Sequence, residues 1–240
     1  MEKKMITDEI ISELKALGTE QTRKTFANHG APENCYGVKI GDLKKFLLKK
    51  VKNQQELCMQ LFKTGNTDAQ YLAGLGIDPQ KMTKEDITLW LSQSSWTAID
   101  ETIVAGVAAE STFALELARE WLLSSDSSVQ NVGWLTFGKY LSFRSDNQIP
   151  QEEVKQLLKR LKKEIHTAPN EIRYSMNQFI IYTGIYCSNL TKDALEAGKD
   201  IAEVEITLPT KGCRLPDPIA KIQKASVSNR IGVKRKRIIC

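Results

Sequence analysis

The chain has 240 residues, 41% of them hydrophobic and 26% charged, with a formal net charge of +5, which is enough apolar material to bury a sizeable core without staples. No run of about 18 uncharged apolar residues offers a membrane span, and the charged start MEKKMITDEI lacks the apolar centre of a signal peptide, so a cytoplasmic protein with no membrane partner is expected. Five scattered cysteines (Cys35, Cys58, Cys187, Cys213, Cys240) without a C-x-x-C pair, and only His29 and His166 to assist them, argue against a disulfide framework and a structural zinc site. No metal and no cofactor is expected.

Helical periodicity begins with Ile10, Ile11, Leu14 and Leu17. The polar connection HGAPENCYGV (29–38) then leads into a helix starting near Gly41 or Asp42, where Asp42 can cap and Leu43, Phe46 and Leu47 give an inner face. The G-V-K-I-G of this stretch lacks the spacing of a phosphate-binding loop and follows no predicted strand, which excludes a nucleotide site. Breaks at KTGNTD (63–68), GIDPQKMT (76–83) and SQSS (92–95) separate further helices, and Thr83 with Asp86 reads as a helix start.

The stretch SSWTAIDETIVAG (94–106) is unusual. Trp96, Ile99, Ile103, Val104 and Val107 recur at helical spacing, and Asp100 lies on the same apolar stripe. Such an acid caps the helix, pairs with a buried group, or is held beside a cleft for chemistry. Thr97-x-x-Asp100 matches a capping box with Trp96 as a staple, which is the structural alternative.

Beyond SSDSS (124–128), Ser125 with Ser128 marks one helix start, Pro150 ahead of Gln151, Glu152 and Glu153 another, and Asn170 a third. Trp90, Trp121 and Trp134 fall on apolar stripes and are expected mostly to pack. Strand-type alternation is nearly absent, with VEITL (204–208) the one extended candidate. Consecutive antiparallel helices from about residue 66 to 188 group in pairs of about 35 to 45 residues, the size of HEAT-type units. The expected architecture is therefore all-α, an α-solenoid curved array of HEAT-like antiparallel helix pairs over residues 1–207, with a compact helical bundle as the competing form. Residues 208–240 form a basic C-terminal segment with a short helix and a tail.

Residues 211–240 hold nine lysines and arginines against one acid, Asp217, a net of +8; since the whole chain carries +5, the remainder is −3. This asymmetry suggests a polyanion met at one end, with Lys234, Arg235, Lys236 and Arg237 touching phosphates from a mobile tail. A solvated tail or a packed C-terminal arm are the alternatives.

YGVKIGDLKKF (36–46), SSWTAIDE (94–101), RYSMNQFIIYTG (173–184) and the ending CRLPDPIAKIQK…NRIGVKRKRIIC together resemble the DNA alkylation repair family of HEAT-like repeat proteins, over roughly residues 10–240. The resemblance implies a curved all-α array holding double-stranded DNA, alkylated or branched, as a monomer. In its glycosylase members it implies hydrolysis of the N-glycosidic bond of N3- or N7-alkylated purines. Their Trp-x-x-x-Asp pair corresponds to Trp96 and Asp100, and a carboxylate beside an aromatic face suits a cationic leaving base. The chain departs from the family at NVGWLTFG (131–138): Trp134 is present as a DNA-binding candidate, but Thr136 and Phe137 stand where glycosylase members carry arginines. Arg173 and Asn177, at i and i+4, either replace that phosphate contact or pair with buried acids. A non-catalytic DNA-binding member is the alternative function.

Overall fold

A computed structural model describes residues 2–207 and 214–239. Lys211, Cys213, Cys240 and the Leu208 of VEITL lie outside the described residues. Among those described, all regular structure is helical, and residues 204–207 form no strand. None of these helices is long and apolar enough to cross a membrane. The chain divides into two compact units, residues 1–112 with 239–240, and residues 113–238. The short helix and arm predicted as a separate C-terminal segment thus belong, up to residue 238, to the second unit.

The first unit contains α1 (Glu2–Leu17), α2 (Glu20–Asn28), α3 (Ile40–Asp42), α4 (Leu48–Val51), α5 (Gln55–Lys63), α6 (Thr67–Gly76), α7 (Lys84–Gln93), α8 (Thr97–Ile99) and α9 (Ala105–Glu110). Two π-turns, Leu43–Leu47 and Asp100–Val104, join α3 to α4 and α8 to α9 into continuous helices. A π-turn widens the ring by one residue and resets which side chains face inward. The result departs from the periodicity: Leu43 and Leu47 are buried, but Phe46, expected on the inner face, is 46% exposed. Asp42 makes no cap, since the helix begins at Ile40 behind Lys39.

At the centre lies α6, buried along its whole length except Tyr71. Its start is capped by Asn66, whose Oδ1 accepts from the Ala69 N–H at 3.0 Å. Small residues let it be enclosed: a methyl at Gly74 would run into Ile103 of the second π-turn, and one at Gly76 would meet Val51 of α4. Thr83 and Asp86 form the capping box expected at α7, whose Trp90 stacks on Phe62 at 4.0 Å.

The second unit contains α10 (Ala114–Leu122), α11 (Ser127–Phe143), α12 (Gln151–Glu164), α13 (Asn170–Tyr186), α14 (Thr191–Asp200) and α15 (Pro218–Val227). Its core is the pair α11 and α13, where Phe179 meets Trp134 at 5.2 Å and Phe137 at 5.7 Å, both edge-on. The cap of α11 is Asp126 rather than the expected Ser125, Pro150 stands one place before α12, and Asp217 caps α15 with Pro218 at its first turn. Ile222 of α15 is buried against Gly184 of α13, as a docked short helix requires.

Candidate nucleic-acid interface

The segment carrying Trp96 and Asp100 is held from below by α6. Gln70, fully buried, accepts from the Ser95 N–H at 3.0 Å and the Ser95 hydroxyl at 2.7 Å. Its amide donates to the carbonyls of Phe62 at 3.1 Å and Gln93 at 2.8 Å. One glutamine therefore fixes the turn between α7 and α8. Sequence reasoning missed it; a glutamine amid the alanines and leucines of TDAQYLAGLG was the available signal.

Asp68, one helical position beyond Thr67, organises the opposite wall. Its carboxylate accepts the N–H groups of Tyr36 at 2.6 Å, Gly37 at 3.2 Å and Val38 at 2.8 Å. Gly37 supplies the positive φ of 77° that this wrapping needs. Asn66 ties Asn34 to the same helix end through its side-chain amide, at 3.2 Å to both the carbonyl and Oδ1. The long polar connection is thus a pinned loop.

Trp96 is half-buried between these walls. Its indole N–H donates to the His29 carbonyl at 3.0 Å, and its ring lies 5.8 Å from that of Phe26. A pocket of about 180 Å³ opens beside it, lined by Phe26, Ile40, Leu43, Tyr71, Ile99 and Thr102 among others. Leu43 begins one π-turn and Thr102 lies in the other. Both irregular turns therefore border the same pocket, the placement such turns favour at functional sites.

Asp100 is not among the residues lining that pocket. It opens the second π-turn, and Trp96 is the N-cap of α8 with no side-chain cap bond, so the capping box of Thr97 and Asp100 does not form. Its Oδ1 is buried without a hydrogen-bond partner. Burial pushes its carboxyl up to about 6; a hydrogen bond with the Ser94 side chain works against this and the neighbouring Glu101 adds to it. An acid so placed accepts a proton near neutral pH, or stands as a fixed negative charge beside cationic character.

The remaining candidates lie in the second unit and do other work. Trp134, expected as a DNA contact, is fully buried, with its ring against Phe179 and the Arg160 guanidinium 5.6 Å from its centroid, so it has no face to offer a ligand. Thr136 and Phe137 are buried too. Arg173 donates to the carbonyls of Ala168 at 2.7 Å and Glu205 at 2.9 Å, and buried Asn177 donates to that of Pro216 at 2.8 Å. Neither pairs with an acid in these bonds; both hold the chain on either side of residues 208–213.

The cationic run is not a loose tail. The Lys234 ammonium donates to the carbonyls of Leu141 at 3.0 Å and Tyr186 at 2.6 Å and pairs with Asp146 at 2.9 Å. Arg235 donates from its backbone to Ser142 at 2.8 Å and from Nε to the Tyr186 hydroxyl at 2.9 Å, and Ile238 is buried. Residues 230–238 are therefore a docked arm, with the Arg235 and Lys236 side chains exposed and Arg237 half-buried.

A family model described as DNA alkylation repair enzyme matches residues 10–209. "Uncharacterized protein Lmo0209" of Listeria monocytogenes is 37% identical over 227 residues, which cover 92% of this chain and 98% of that protein. "Uncharacterized protein Lin0241" of Listeria innocua is 36% identical over the same length and shares. A solved structure described as "A new family of proteins related to the HEAT-like repeat DNA glycosylases with affinity for branched DNA structures" superposes with a TM-score of 0.89 at 33% identity. The superposition covers 97% of this chain and 99% of that one, so the fold is HEAT-like.

Proposed function

Since the chain belongs to the DNA alkylation repair enzyme family, we propose that it is a DNA-binding protein that holds branched DNA in preference to linear duplex. The observation that carries this reading is the burial of Thr136 and Phe137 at the places where glycosylase members carry arginines: the phosphate brace beside a lesion has no counterpart at these positions. The likeness to a protein with affinity for branched DNA supports the same choice of ligand. Trp96, Asp100 and the pocket beside them form the surface of the first unit offered to the nucleic acid. Arg235 and Lys236 add exposed positive charge on the second. Affinity for a four-way junction above that for a linear duplex of equal length, read by gel shift at fixed salt, is the expected result. Equal affinities would sink the preference.

A second reading, hydrolytic release of cationic N3- or N7-alkylated purines, is favoured by one observation, the unpartnered buried Oδ1 of Asp100. A charge held in that state stabilises positive character developing on the sugar. Incubating duplex with a single N7-methylguanine and assaying free base tests it. Release by the wild type that falls about 10- to 1000-fold in Asp100→Asn supports excision; no release by the wild type leaves binding alone.

A further inference from the structure

Residues 39–52, KIGDLKKFLLKKVK, hold six lysines and one acid, Asp42, a net of +5. Residues 1–210 net −3 in all, so what remains of them carries −8, and this helix is a positive island in an acidic stretch. All six lysines are exposed. Lys50 pairs with Glu13 at 2.7 Å, whereas among the described residues no carboxylate pairs with Lys39, Lys44, Lys45, Lys49 or Lys52.

The π-turn at Leu43–Leu47 adds an aromatic to this face. Leu43, Leu47 and Val51 point into the core, and Phe46 is turned out among the lysines, with the Lys45 ammonium 4.7 Å from its ring centroid. A large apolar side chain kept at a surface costs solvation that a leucine-like inner position would have avoided. Ile40, also exposed, heads the helix and at the same time lines the pocket beside Trp96. The basic face and that pocket are therefore continuous within the first unit.

We propose that the exposed face of residues 39–52 is a second nucleic-acid contact, on which lysines hold the phosphates of a single-stranded arm and Phe46 stacks on an unpaired base. Interleaved cations and an aromatic are the chemistry of single-strand recognition: phosphates meet the ammonium groups, and any base offers a π-face. An anionic lipid surface fits less well, because the apolar side of the helix is used inward and leaves only Ile40 and Phe46 to insert. The inference rests on the DNA-binding reading above and names what in a branch is recognised: strand that has left the duplex.

Fluorescence anisotropy with the full chain, using a forked duplex with one single-stranded arm and a blunt duplex of equal length, tests it. A Phe46→Leu variant is expected to lose about 5-fold or more on the fork and to keep its affinity for the blunt duplex. A triple variant, Lys44→Ala, Lys45→Ala and Lys49→Ala, is expected to lower the slope of log K against log salt on the fork by about 2, at roughly 0.7 for each single-strand contact. A control with Lys159→Ala, Lys163→Ala and Lys192→Ala is expected to bind as the wild type does. Wild-type binding with both 39–52 variants unchanged overturns this inference and leaves the DNA reading standing. An equal loss in the control, or variants that lose only binding to phosphatidylserine vesicles, overturns it too. Absence of any DNA binding by the wild type overturns both.

Discussion

Burial without a partner gives Asp100 a pH signature. Its folded carboxyl, raised to about 6, holds its proton where the unfolded chain, near the ordinary 3.8, has lost it. Between those values the native state binds more protons, so the stability withheld by this group is absent below about pH 4 and fully felt above about pH 6. Asp100→Asn is expected to stabilise the protein at pH 8 by about 1–3 kcal/mol and to change little at pH 4, with urea melts at the two pH values as the measurement. A wild-type melt that gains stability from pH 4 to 6 relative to Asp100→Asn would reverse the assignment. That an acid sat on an apolar stripe was legible in the sequence. Why it sat there was not: the capping box is a pattern of four residues, and only the placement of Trp96 at the N-cap shows it unused. Trp134, Arg173 and Asn177 were misread because residue type gives a donor or a ring without saying which way it points.

Helices in this molecule are set by close approaches that periodicity does not reveal. Gly74 faces Ile103 so tightly that Gly74→Ala is expected to destabilise by about 1–3 kcal/mol despite alanine's better helix propensity, because the added methyl wedges α6 from the turn that carries Asp100. Thermal melting measures the loss, and altered Trp96 emission is expected with it. At the far end of the second unit, Lys234 meets the last carbonyls of α11 and α13 together, where helix ends carry partial negative charge. Lys234→Met is expected to cost about 2–4 kcal/mol in chemical denaturation, since it strands two carbonyls and leaves Asp146 without its cation. A loss under about 0.5 kcal/mol would restore the picture of a solvated tail. Basic runs ordinarily lie in water, so the sequence argued for one; the isoleucines that follow were the overlooked sign, since an apolar end has to be buried.

Across the whole molecule the helical class, most helix starts and the paired arrangement were legible, because amphipathic stripes and capping residues act locally. Division into two units was not, since it depends on which helices pack together at long range. The buried thiols report on each unit separately. Cys35 and Cys58 lie in the first and Cys187 in the second, with burial pushing them up to about 11, 12 and 12. Iodoacetamide at pH 8 is expected to spare all three in the native protein and to modify them as denaturant opens their unit, with peptide mapping to tell them apart. Modification of Cys58 or Cys187 at the rate of a free thiol without denaturant would contradict the burial. The first π-turn has a consequence in the language of insertion and deletion. It is one extra residue accommodated without breaking the helix, and loss of any one residue from Leu43–Leu47 would let the turn close as ordinary α-helix. Everything beyond it would swing by about 100°, and either the lysines after Phe46 or the leucines before it would face the wrong way. Among relatives, then, a single-residue gap at this point changes which surface the protein shows more than several substitutions along the same helix would.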